Sequence, residues 1–317
     1  MSIAIDDIYA AQRRIAGGVI ETPLRLSTWL RSPGGGVQLK LEIVQPTGSY
    51  KVRGAWNVCA RLRDTGKADS RPLITASAGN HGQGLALAAA HFGFPLIVFV
   101  PEDAPRTKIE AMERRGAQLR RCRDYDAAEQ QAKAHAAAGE GLWISPYSHP
   151  DVIAGAGTVG LELTRQQPDL DAVVVPIGGG GLISGVGIAI KALSPATRVI
   201  GVEVAASCPF TKSLAAGRLV SIDVGPSLAD GLTGNLDPDT VTLDIVRTVV
   251  DEIVVVEEED LRRALTGVVA HEHLVIEGAA AAGPAALLSG RVQPRGNVAV
   301  ILTGANIDIS TLAPLLR

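Results

Sequence analysis

The chain has 317 residues, of which 46% are hydrophobic and only 3% aromatic, with a formal net charge of −3. That length supports one large or two moderate well-buried cores, and the slight acidic excess excludes a general nucleic-acid surface, which needs surplus Lys and Arg. Cys59, Cys122 and Cys208 lack paired or metal-ligand spacing, the acidic start Ile5-Asp6-Asp7 lacks a signal peptide's basic residues, and no apolar run reaches membrane-spanning length, so ordinary thiols in the reducing cytoplasm are expected.

In chain order, an acidic start suited to the positive end of a helix dipole predicts a first helix over residues 6–15, stopped by Gly17-Gly18. The turn cluster Ser32-Pro33-Gly34-Gly35-Gly36 leads into an alternating strand over 37–43, and a helix follows over 51–62. From Leu73 a strand–loop–helix pattern repeats: strands over 73–76 and 96–100, helices over 85–90, 108–115 and 127–138, and a short strand over 142–144. Beyond Pro150 come a glycine-punctuated helix over 151–164, a strand over 172–175, a helix over 182–193, and strands over 199–204 and 298–302. The run Glu257-Glu258-Glu259-Asp260 reads as the acidic N-terminus of a helix over 261–269 rather than as a metal cluster. This alternation, rich in Ala, Val and Leu, implies right-handed βαβ units and parallel sheets flanked by helices, an α/β fold.

Three stretches at strand-to-helix junctions carry chemistry. Ser49-Tyr50-Lys51-Val52-Arg53-Gly54-Ala55 holds a lysine where an amine can act as a nucleophile, and its neighbour Arg53 reads as an exposed helix residue. Ser77-Ala78-Gly79-Asn80-His81-Gly82-Gln83-Gly84 and Pro176-Ile177-Gly178-Gly179-Gly180-Gly181-Leu182-Ile183-Ser184-Gly185 read as ligand-holding loops. For Ser77 or Asn80 the plain alternative is a helix cap, and for His81 a structural histidine. Successive glycines let peptide N–H groups converge on a phosphate at a helix N-terminus, where side chains would block the approach. A dinucleotide is the rival ligand, with Glu203 near the place of a ribose-binding acid. Its spacing fails, because Gly178-x-Gly180 is followed by Ile183 and Gly179-x-Gly181 by Ser184.

Together with Thr22-Pro23-Leu24 and Thr303-Gly304-Ala305-Asn306, these motifs resemble the fold type II pyridoxal-phosphate enzymes, specifically the serine/threonine dehydratase and serine racemase family. The resemblance implies a tryptophan-synthase-β-like α/β fold of two domains with twisted, parallel-type sheets. Residues 1–71 and 150–317 would form the larger domain and 72–149 the smaller, with pyridoxal 5'-phosphate in the cleft between them. It implies Lys51 as the Schiff-base lysine and the base for the Cα proton, and Tyr50 beside the ring where the family usually has Phe. It implies Asn80 on the ring hydroxyl, Gly178, Gly179, Gly180 and Gly181 on the phosphate, Thr303 on the pyridine nitrogen, and Glu277 near the cofactor. Ser77, Ala78, Gly79, Asn80 and His81 would grip the substrate carboxylate.

The implied reaction is dehydration and deamination of a threonine- or serine-like β-hydroxy amino acid to a 2-oxo acid and ammonia. The implied proton donor to the leaving hydroxyl is the cofactor phosphate. The resemblance also implies a homo-oligomer, dimer or tetramer, with no nucleic-acid or membrane partner. Alternatives are substrates such as hydroxyaspartate, phenylserine or a hydroxyectoine-derived compound, racemisation, β-replacement, or a nucleotide-binding protein that uses no pyridoxal phosphate. Ala78 opposes racemisation, because serine racemases carry there the serine that handles the proton on the second face. Gly79-Asn80-His81-Gly82 opposes β-replacement, which uses a GNTG-type loop. Pro209 replaces the second carboxylate of a racemase-type cation site on the segment beginning at Glu203, so no metal is expected. The end of the chain soon after Thr303 leaves no expected room for a C-terminal regulatory domain.

Overall fold

In the computed structural model, which describes residues 3–66 and 70–317, runs of Val, Ile, Leu and Ala form strands covered on both faces. Six strands make one sheet: β1 (Leu24–Ser32), β2 (Gly35–Leu41), β7 (Leu170–Pro176), β8 (Arg198–Val204), β9 (Glu252–Val256) and β10 (Asn297–Leu302), in the order β1-β2-β10-β7-β8-β9. Four make the other: β3 (Leu73–Ala76), β4 (Leu96–Pro101), β5 (Gln118–Cys122) and β6 (Leu142–Trp143), in the order β5-β4-β3-β6. Every pairing is parallel except the β1–β2 hairpin, so helices must carry the crossovers. The expected parallel-type sheets flanked by helices are therefore present.

Among the helices, α1 (Ile5–Ile15), α2 (Lys51–Thr65), α3 (Asn80–Phe92), α4 (Arg106–Glu113), α5 (Tyr125–Ala137), α6 (Pro150–Gln166) and α7 (Gly181–Leu193) carry or brace the site. The glycine-punctuated helix is explained by close crossing. A Cβ on Gly155 would lie 2.5 Å from the Arg53 carbonyl oxygen, and one on Gly185 would lie 2.3 Å from that of Ile153. α6 is thus pressed against α2 on one side and α7 on the other. α2 follows β2 in the chain, yet Val52, Ala55, Val58 and Cys59 join Leu73, Leu85 and Val98 in the core of the four-stranded sheet.

Sequence patterning missed β1, β5 and β9. β1 lies at the sheet edge with its register broken between Leu26 and Arg31, β5 is Gln-Leu-Arg-Arg-Cys, and β9 is only half-buried, so none shows a clean apolar signature. The helices α8 (Pro209–Ala216), α9 (Thr242–Val249), α11 (Gly278–Leu288) and α12 (Ile309–Leu315) were likewise unmarked, whereas α10 (Glu258–Gly267) takes the expected acidic start. α3 begins at Asn80 rather than at residue 85, which shortens the loop after β3 to residues 77–79. Both ligand-type loops therefore leave the C-terminal ends of parallel strands, the edge where open α/β sheets bind ligands. No helix among the described residues is long and apolar enough to cross a membrane.

Candidate active site

Lys51 opens α2, and the turn before it is tied to the end of β10: Tyr50 N donates to the Thr303 carbonyl at 3.0 Å, and Ser49 bridges Gly304. Nζ of Lys51 donates to the Pro146 carbonyl at 2.8 Å and lies 5.3 Å from the centre of the Tyr50 ring. Burial brings this amine down to about 8, with the Glu277 carboxylate opposing the shift. A free amine is thereby brought within reach near neutral pH.

Asn80 and Glu277 come together from the two sheets. Asn80 Nδ2 donates to Glu277 Oε1 at 2.7 Å, and Asn80 Oδ1 accepts from Asn306 Nδ2 at 2.7 Å. Asn306 also donates to the Thr47 carbonyl at 2.8 Å. Gly304 lets these groups meet, since a Cβ there would lie 2.3 Å from Glu277 Oε1. Burial pushes the Glu277 carboxyl up to about 7, against the hydrogen bond from Asn80.

Ser77 shapes the substrate-side loop by accepting from Gly79 N and Gly82 N, each at 3.2 Å, so its hydroxyl caps the start of α3. Ala78 and Gly79 are half-buried, and a Cβ on Gly79 would meet nothing within 4 Å. His81 is buried, with neither ring nitrogen in good hydrogen-bond geometry among the described residues. Burial, then the Lys51 charge, lowers it to about 3, which keeps it neutral.

The tetraglycine loop packs too closely for side chains. Gly180 has φ +84°, and a Cβ on Gly179 would lie 2.2 Å from the Tyr147 ring, while one on Gly181 would lie 2.7 Å from the Tyr147 carbonyl oxygen. Gly181 begins α7, so the loop's N–H groups cluster at a helix N-terminus. In the first turn of that helix the Ser184 hydroxyl is buried without a partner among the described residues, and so is the Thr303 hydroxyl at the end of β10. Buried hydroxyls are rarely left so. A bound group with a phosphate near the glycines and an acceptor nitrogen near Thr303 would satisfy both. Lys51, Asn80, Glu277, the glycines, Ser184 and Thr303 therefore fit pyridoxal phosphate.

One sequence expectation changes. Arg53 is fully buried rather than exposed: it donates to Glu42 and Glu162, to the Thr158 hydroxyl and to the Ile20 carbonyl. The two Glu203 oxygens accept from Phe210 N and Thr211 N at 2.8 Å and from Thr211 Oγ1 at 2.6 Å, capping α8. Sequence reasoning missed three contributors. Ser184 and Asn306 stood inside the quoted motifs without a role, and Tyr147 in Ser145-Pro146-Tyr147-Ser148 carries no local signal.

Comparison with known proteins agrees with this fit. The profile described as "Pyridoxal-phosphate dependent enzyme" matches residues 15–304. The chain is 39% identical to an L-threonine ammonia-lyase of Thermotoga maritima, over 99% of this chain and 78% of that one. It is 37% identical to the catabolic L-threonine dehydratase of Escherichia coli K12, over 99% and 96%. Its fold matches the crystal structure of a pyridoxal 5'-phosphate-dependent aspartate racemase with a TM-score of 0.91 at 31% identity, covering 98% of each chain. With a profile spanning nearly the whole chain and a site whose unpartnered groups suit that cofactor, this protein belongs to the pyridoxal-phosphate dependent enzyme family.

Proposed function

We propose that the protein dehydrates and deaminates a β-hydroxy amino acid of the threonine or serine kind, giving a 2-oxo acid and ammonia. The observation that carries this reading is the Lys51 amine, brought down to about 8 by burial, at a turn tied to Thr303, whose hydroxyl has no partner among the described residues. When bound, pyridoxal phosphate supplies an aldehyde that condenses with amines and a ring that spreads the electron pair left at Cα. Lys51 would hold that aldehyde, and its Nζ, when free, would accept the Cα proton. Thr303 Oγ1 would serve the ring nitrogen as a neutral hydroxyl donor, which would leave a weaker electron sink than a carboxylate partner. That weakness favours loss of the β-hydroxyl, as water, over transamination. The N–H groups of Gly178 to Gly181, with Ser184, would hold the phosphate; Asn80 would serve the ring hydroxyl, and residues 77–81 the substrate carboxylate.

The same proposal makes two bodies of residues 1–71 with 150–317 and of 72–149, with α2 packed into the core of the smaller body and Asn80 and Glu277 meeting across their cleft. It extends to a homo-oligomer in which a second copy covers exposed apolar residues such as Leu26 and Ile309, to be tested by sedimentation.

Racemisation is the second reading, favoured by the likeness to the aspartate racemase structure. Incubating the protein with a panel of β-hydroxy amino acids, and measuring 2-oxo acid, ammonia and the enantiomers of remaining substrate, separates the two. Stoichiometric 2-oxo acid and ammonia are expected. Inverted substrate without ammonia would overturn the dehydratase reading.

A further inference from the structure

The tetraglycine loop is braced from outside by a chain of contacts that begins on the opposite sheet. Gly179 is its focus. The Tyr147 ring fills the space a Cβ there would need, and the Gly179 carbonyl accepts from the Thr242 hydroxyl at 2.9 Å. Tyr147 and Thr242 belong to segments that are themselves joined: Tyr147 Oη accepts from Asp237 N at 2.8 Å, and Ser148 Oγ accepts from Val241 N at 3.1 Å. Thr240 N closes a turn on the Asp237 carbonyl at 3.0 Å, and the hydroxyls of Thr240 and Thr242 lie 2.8 Å apart. Asp237 thus bears on the ring against Gly179 and Thr242 on Gly179 itself, while Ser148 and the 237–240 turn hold the segment between them.

The segment is fixed at its start by an ion pair across the cleft. Asp237 Oδ1 accepts from Nζ of Lys133, which lies on α5 over the four-stranded sheet. Lys133 also lies 3.0 Å from Glu129 Oε1 and 5.7 Å from the centre of the Trp143 ring, so its ammonium is held from its own side as well. An exposed ion pair would constrain little. This carboxylate is only 9% exposed, where losing its partner leaves a charge it cannot easily hydrate.

We propose that Asp237 is a positioning residue for the tetraglycine loop: gripped by Lys133 from the other side of the cleft, it seats Tyr147 and the 240–242 turn on Gly179 and so sets the loop to receive a phosphate. This rests on the reading that Gly178 to Gly181 hold the cofactor phosphate. The pair links approach of the two sheets to the shape of the loop, without touching the reacting atoms.

The test uses the full-length protein stripped of cofactor, with Lys133→Met, Asp237→Asn and the double variant. The dissociation constants for pyridoxal 5'-phosphate and for pyridoxal, which lacks the phosphate, are measured by fluorescence titration. Each single substitution should weaken the phosphate ester about tenfold, the scale of an ordinary coupling between sites, and leave pyridoxal unchanged. The double variant should lose less than the sum of the two single losses, because both residues act through their shared contact. Lys133→Arg should retain most of the wild-type preference. Unchanged affinity for the phosphate ester, additive losses, or equal losses for both compounds would each overturn the proposal. Gly180→Ala, at a φ that side chains resist, tests the premise separately. It should abolish the preference for the phosphorylated compound, and a preference that survives it would show that the loop is not the phosphate site, whatever the Lys133 variants do.

Discussion

Two sets of buried charge lie close to the first turn of α2, and they are finished in opposite ways. Arg53 is saturated: its guanidinium donates to both oxygens of Glu42, both of Glu162, and two neutral acceptors. Lys40 completes the cluster, donating to Glu162 Oε2 at 2.6 Å, the Thr22 carbonyl at 2.8 Å and Gln166 at 2.8 Å. Burial alone would raise the Glu42 carboxyl, but Arg53, helped by Thr22 and Lys40, holds it below its usual range. Two residues earlier, Lys51 has one carbonyl partner, Glu277 is raised to about 7, and Thr303 and Ser184 have no partner among the described residues. A fully satisfied network fixes β2, α2 and α6 to one another and has nothing left to react. An unfinished one stays near its titration point and can exchange protons and ligands.

The largest break is on the unfinished side. Lys51→Ala should lower turnover by about 10⁴-fold or more, since it removes both the anchoring amine and the base. Because that amine pays for burial with a single hydrogen bond, thermal unfolding should stay close to wild type. Activity near the wild-type level would remove the central assignment, while loss of the folded state would erase the contrast with Arg53.

The converse is expected on the saturated side. Arg53→Met leaves Glu42 and Glu162 buried without their cation, and should cost roughly 3–5 kcal/mol in urea unfolding. Arg53→Lys should recover only part of this, because an ammonium cannot reproduce the planar fork that meets two carboxylates at once. A variant at Arg53 as stable as the parent would mean that the cluster is dispensable to the fold.

The pH dependence sharpens the comparison. Lys51 titrates at about 8 in the folded chain, below its ordinary 10.5, so the folded state favours the neutral amine. The penalty of burying its charge is present below pH 8 and fades as pH rises toward 10.5, so this group makes the cofactor-free protein more stable across that window. Capture of pyridoxal phosphate by that protein should accelerate about tenfold per pH unit up to about 8, then level off. A rise continuing past pH 10 would show an unperturbed lysine. Glu277→Gln removes the charge that opposes the shift and should move the break to lower pH.

A smaller effect is expected at the hydroxyl behind the glycines. Ser184→Ala deletes a buried group that lacks a partner, and should stabilise the cofactor-free protein by about 1 kcal/mol in urea unfolding. The same change should weaken cofactor binding roughly fivefold. Stability lost together with affinity would show that the hydroxyl is part of the core.

How much of this was legible beforehand depends on what a short stretch of sequence can encode. The inner parallel strands were readable because burial on both faces leaves uninterrupted apolar runs such as Leu96-Ile97-Val98-Phe99-Val100, a pattern the edge strand β5 lacks, and the loops because four glycines have few other uses. Resemblance supplied roles for Asn80 and Glu277, but their hydrogen bond joins residues 197 positions apart and had no local trace. Arg53 was misread because α2 was judged by its own helix face. What buries it are α6, at a crossing that Gly54 and Gly155 allow, and Glu42 just after β2. Tyr147 and Asp237 were invisible for the same reason, since their importance comes from what they touch and not from their neighbours in sequence.

The finest adjustment lies at position 78, where the sequence departs from the racemase pattern by a single oxygen. Lys51 can take the Cα proton from one face; inversion needs a second group that returns it to the other, and a methyl cannot. The loop is held by Ser77 through Gly79 N and Gly82 N, so its shape does not depend on the half-buried Ala78 side chain. Ala78→Ser should therefore fold as the parent does, retain most elimination, and form D-serine from L-serine at a low but measurable rate. Chiral chromatography of the reaction, with pyruvate measured in parallel, decides it. D-Serine from the unsubstituted protein at a rate comparable to pyruvate would show that another residue serves the second face, and the one-sided chemistry assigned to this site would fall.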